Sequence, residues 1–89
     1  LAKVVVVAKV YPENVDENLE GLVDKIKEKL PSEIKVNDYK IEPLAFGIKV
    51  LRIQFLMPEE YEGGTTKLEE ILGNIKGISE IEIEMVTRL

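Results

Sequence analysis

The stretch Val4-Val5-Val6-Val7-Ala8-Lys9-Val10-Tyr11 is valine at five of its eight positions, and it ends at Pro12. Branching at Cβ restricts χ1 in a helix and suits a pleated surface, so this run predicts a strand, and a central one. Pro12 closes it, because proline offers no N–H to a ladder. A central strand needs partners on both sides, which turns the rest of the chain into a search for them.

The search finds three more strands and two helices. After the polar turn Glu13 to Glu17, residues Leu19, Leu22, Val23, Ile26 and Leu30 recur on one helical stripe, with Asp16 or Asn18 as the cap and Pro31 as the stop. From Ile34 to Ile41 the apolar residues alternate loosely, the mark of an irregular edge strand that breaks at Glu42-Pro43. Phe46 to Met57 reads as a long strand, with Leu51, Ile53 and Phe55 on one face against Lys49, Arg52 and Gln54 on the other. Pro58 stops it. Thr66-x-x-Glu69 predicts a capping box before the stripe Leu68, Ile71, Leu72 and Ile75, and Gly77 predicts the end of that helix. Ile81, Ile83 and Met85 then alternate with Glu82 and Glu84, a strand with one wet face. The two helical stripes superimpose at one constant offset, and each helix follows a strand ending in Pro-Glu. The order βαββαβ predicts an α+β fold, a ferredoxin-like sandwich in which a four-stranded antiparallel sheet carries both helices on one face, in a single domain over residues 1–89.

Composition removes whole chemistries. The 89 residues include no Cys, no His and no Trp, so structural zinc sites, thiol catalysis and imidazole-based triads cannot be built, and no disulfide can form. With 12 basic and 17 acidic side chains the net charge is −5, which is unsuited to coating a nucleic-acid backbone. No apolar run reaches the roughly 18 residues of a membrane span, so the chain is expected to be soluble and cytoplasmic.

The remaining polar motifs read as ordinary surface. Glu80, Glu82 and Glu84 on the last strand, and Glu59, Glu60 and Glu62 beside Gly63-Gly64, could each collect a cation. Aligned carboxylates repel one another and nothing organises them, so both groups are expected to be solvated. Gly63-Gly64-Thr65-Thr66 lacks the spacing and the lysine of a phosphate loop. Two features resist that treatment. Pro43-Leu44-Ala45-Phe46-Gly47 is an apolar turn where polar residues belong, and its Phe46 either projects as a contact point or folds back onto the sheet. Arg88, one of two arginines, stands next to last on an acidic strand.

The run Pro43 to Ile53, the acidic loop ending in Gly64-Thr65, the helix start Lys67-Leu68-Glu69-Glu70 and the terminus Arg88-Leu89 resemble the guanine-nucleotide exchange domain of the elongation factor 1-beta/delta family, in its short archaeal form. The most specific piece is Phe46-Gly47-Ile48-Lys49, followed by Leu51 and Ile53. The resemblance implies an exchange factor for elongation factor 1-alpha, acting on the GTPase in its GDP-bound or empty form. It implies contact without bond chemistry, cofactor, nucleic acid or membrane, by a chain that is monomeric when free. It also implies that Phe46, Gly47, Lys49, Arg88 and Leu89 meet the partner. Arg88 stands where eukaryotic relatives carry a lysine that reaches the GTPase's magnesium site, and an arginine is planar and bulkier than that ammonium. In an antiparallel sandwich of this order the Phe46 turn and Arg88 fall at opposite ends of the sheet, about 20–25 Å apart. The competing reading is a ferredoxin-like regulatory module that binds a small metabolite at a dimer interface.

Overall fold

The computed structural model describes residues 2–89. Its elements are β1 (Lys3–Pro12), α1 (Leu19–Lys29), β2 (Lys35–Pro43), β3 (Lys49–Pro58), α2 (Gly64–Gly73) and β4 (Ile78–Arg88), with a short 3-10 turn over Ala45–Gly47. The four strands form one sheet in the order β2-β3-β1-β4, antiparallel at every pairing, so the valine-rich strand is central and β2 lies at an edge.

Alternation decides what faces the helices. Val6, Ala8 and Val10 of β1 and Leu51, Ile53, Phe55 and Met57 of β3 are buried in one cluster with Leu19, Leu22, Val23 and Ile26 of α1 and Leu68 and Leu72 of α2. Both helices therefore cover the same sheet face, as the βαββαβ order requires. Each large side chain in this cluster contributes on the order of 1.5–3 kcal/mol by leaving water. The α1 cap is Asn18, whose side chain accepts from the Gly21 N–H at 3.1 Å.

Several boundaries differ from the sequence expectation, each for a local reason. β3 begins at Lys49 rather than Phe46, because Phe46 and Gly47 have φ of 61° and 75° and leave the extended region. β2 continues through Glu42 and Pro43, which pair with Val50 and Lys49; on an edge strand a missing N–H need not cost a ladder bond. Lys49 is two residues from Leu51 and so shares its side of the sheet rather than that of Arg52; at the strand's first position it is exposed. The capping box does not form. The helix starts at Gly64, after Gly63 at φ 89°, so Thr66 already lies in the first turn and no side chain caps it. A Cβ at Gly63 would lie 2.8 Å from the Lys67 Cβ, which explains the glycine. α2 ends at Gly73 rather than Gly77; Ile75 lies beyond it yet is still buried. Gly77, at φ 106°, belongs instead to the turn into β4, where its N–H donates to the Glu13 carboxylate and its carbonyl accepts from the Glu13 N–H.

The largest departure is in β4. Ile83 lies opposite Ala8 and Met85 opposite Val7, so Glu84 is an extra residue and the strand bulges there. Beyond the bulge the alternation reverses. Met85 and Thr87 go to the open face of the sheet with Val7 and Val5, while Val86 and Arg88 go to the helix side with Val6 and Val4.

Candidate functional site

The Phe46 turn closes the β2–β3 hairpin through a hydrogen bond from the Leu44 N–H to the Ile48 carbonyl, 2.6 Å. Within it Phe46 adopts φ 61°, ψ 32°, the left-handed region, where a side chain with a Cβ costs roughly 1–2 kcal/mol. The residue is 97% exposed, so packing inside the chain returns almost nothing for that strain. Of the two sequence readings, projection is the one observed. Leu44 and Ile48 on either side are themselves exposed, at 44% and 38%, making a small apolar tip. Gly47 at φ 75° completes the turn, and nothing lies within 4 Å of where its Cβ would be. Lys49 is exposed at the base of the same tip. A strained, exposed aromatic at a hairpin tip is a backbone outlier of the kind that accompanies binding.

The second group lies at the far end. Arg88 pairs with Val4, and Val4 with Met57, eight residues along β3 from Lys49. At about 3.3 Å per residue that is about 26 Å before the Phe46 turn is added. The fold is long enough for it, with a principal extent of 42 Å. Phe46, Gly47 and Lys49 are thus brought together, as are Arg88 and Leu89, and the two groups are kept apart. Leu89 is 74% exposed, with Met85 and Val86 nearby at 51% each, so this end also presents apolar surface.

Arg88 is not free. Its Nε lies 2.6 Å from the Glu59 Oε2, with the two side chains 70% and 36% exposed. Glu59 is thus paired, where the sequence predicts a solvated loop residue. No local motif signals the pairing, because the segment after β3 and the end of β4 meet only across β1. Of the carboxylates on β4, Glu84 is likewise engaged. It bonds Arg52 Nε at 3.0 Å and Lys9 Nζ at 3.5 Å, and Arg52 reaches Glu42 at 3.5 Å. These contacts link one side chain from each strand across the open face, so four of the charges are consumed in the sheet. Among the described residues, no group of three or more acidic side chains is placed to hold a metal ion, and no helix is long and apolar enough to cross a membrane.

Comparison with known proteins gives the family. The profile of the family described as "EF-1 guanine nucleotide exchange domain" matches residues 5–89. The chain is similar to elongation factor 1-beta of Ignicoccus hospitalis, 51% identical over 89 residues, covering 100% of this chain and 95% of that protein. It is also similar to elongation factor 1-beta of Hyperthermus butylicus, 49% identical with 100% and 97% covered, and of Staphylothermus marinus, 47% identical with 100% and 99% covered.

Proposed function

The chain belongs to the EF-1 guanine nucleotide exchange domain family, with a guanine-nucleotide exchange role in translation elongation, and we propose that it performs this role on elongation factor 1-alpha as a rigid two-ended bridge. The observation that carries the reading is the separation of a strained, exposed Phe46 from Arg88 along the length of one sheet. Such a spacing suits two docking points on one large partner better than a single cleft.

In this reading Phe46 is the apolar anchor, with Gly47 shaping its turn and Lys49 adding charge at its base. Transfer of an exposed phenylalanine into a partner's pocket is worth about 1.5–3 kcal/mol, and the turn already carries the residue clear of the sheet. Arg88, with Leu89 beside it, enters the GTPase's nucleotide site. There Mg²⁺ bridges phosphate oxygens and is the dominant local charge. A guanidinium supplies positive charge but none of the octahedral bonding to oxygen, so displacement of the ion loosens the nucleotide.

Exchange is then linkage. The factor lowers nucleotide affinity by the same ratio that nucleotide lowers factor affinity, and GTP in excess refills the emptied site. No bond is made or broken, so the chain acts without a cofactor of its own. It works as a monomer over residues 1–89, in the cytoplasm where elongation takes place, on the GDP-bound or empty GTPase and without contact to nucleic acid. The test is release of fluorescent GDP from elongation factor 1-alpha on mixing with the protein. Acceleration that saturates with factor is expected, and unchanged release at stoichiometric factor would overturn the proposal.

A further inference from the structure

The terminus that carries Arg88 is built more carefully than a trailing end requires. β4 and the segment after β3 flank β1 on opposite sides, and both are tied to carbonyls where it begins, at Lys3 and at Ala2 just before it. The Leu89 N–H donates to the Lys3 carbonyl at 2.9 Å, and the Glu59 N–H donates to the Ala2 carbonyl at 3.0 Å. Across that shared strand the Arg88 and Glu59 side chains meet at 2.6 Å.

The bulge at Glu84 makes the meeting possible. Had β4 continued from Ile83 opposite Ala8 without an extra residue, Arg88 would fall opposite Lys3, on the other face of the sheet. With the bulge it falls opposite Val4. Glu84 is itself fixed by Lys9 and Arg52, so the register shift is anchored rather than incidental.

We infer that Glu59 is a positioning residue for Arg88: it holds the guanidinium in one orientation at the end of the sheet, so that the cation arrives at the partner's nucleotide site already aimed. This rests on the reading that Arg88 is the working cation. An arginine on a strand terminus has many rotamers to lose on docking, and a neighbouring carboxylate that restricts them beforehand lowers that cost. The pair is exposed and therefore weak, so it gives way when a site richer in negative charge is offered.

The experiment is a double-mutant cycle of Glu59→Gln and Arg88→Gln, read as the rate of fluorescent GDP release from the GTPase at subsaturating factor. Glu59→Gln is expected to slow release about threefold to fivefold, the size of an exposed pair, and to have no effect when Arg88→Gln is already present. In the free protein, Glu59→Gln should also shift the Arg88 Nε–H resonance and leave the backbone amides of the core unchanged, which a general structural role would not do. Equal slowing in both backgrounds, or faster release by Glu59→Gln alone, would overturn the positioning role and leave Arg88 in place. Unaltered release by Arg88→Gln would overturn both the positioning role and the reading beneath it.

Discussion

The two ends of the sheet hold their exposed groups by opposite means. At the hairpin end the backbone does the work. Phe46 is fixed by a left-handed φ and a hydrogen bond across its own turn, while its side chain touches almost nothing. At the terminal end the backbone is an ordinary strand, and a side-chain ion pair fixes Arg88. The difference follows from the groups themselves. A phenyl ring lies two torsions from the backbone, so a fixed Cα leaves it few rotamers to lose on docking. An arginine has four, and only a contact at its head can aim it. An apolar anchor can therefore be strained into place early, whereas a cation needs a partner it can exchange for a better one.

That contrast is open to attack, beginning where the effect should be largest. Deleting Arg88 and Leu89 is expected to reduce GDP release to the unassisted rate while costing only about 1–2 kcal/mol of stability in urea unfolding, the loss of the Leu89–Lys3 backbone hydrogen bond and the exposed Arg88–Glu59 pair, which leaves the chain folded. Retained exchange would remove the terminal end from the mechanism. Phe46→Ala should weaken binding of the GTPase about 30-fold, the effect of losing a central aromatic anchor worth about 2 kcal/mol. Maximal release at saturating factor should fall much less. Because the ends are more than about 10 Å apart and share no contact, the binding penalties of Phe46→Ala and Arg88→Gln should add to within about 0.5 kcal/mol. Strong coupling between them in a calorimetric cycle would show that the bridge is not rigid.

The architecture was largely legible in the sequence because it rests on periodicity. The valine run, the two helical stripes and the Leu51-Ile53-Phe55 alternation each specify an element and the face it buries. What escaped were changes of phase and cases of strain. A bulge adds one residue without altering composition, so Met85 reads as continuing the Ile81-Ile83 face although Glu84 has reversed it. Two glycines with positive φ start α2 ahead of the threonine that resembles its cap. Of the candidate site, Phe46 stood out because an apolar residue occupied a turn, and Arg88 because a cation ended an acidic strand. Glu59 did not stand out, since its role depends on two segments that meet only across β1.

The smallest expected effect bears most directly on the backbone side of the contrast. If Phe46 is held by strain rather than by packing, the cost belongs to its Cβ and not to its ring. Phe46→Ala should then leave stability unchanged, because alanine suffers the same left-handed φ and the ring had no contacts to lose. Phe46→Gly should raise stability by about 0.5–1 kcal/mol, the relief of roughly 1–2 kcal/mol of strain less the greater freedom glycine has in the unfolded chain. Urea unfolding of the three proteins at matched slope distinguishes them. Stabilisation by glycine together with loss of GTPase binding would mean that the turn keeps its tension for the sake of the ring. A glycine variant less stable than the alanine variant by about 0.5–1 kcal/mol, the cost of glycine's freedom alone, would mean that the left-handed turn costs nothing here, and the two ends would then differ only in the chemistry of what they present.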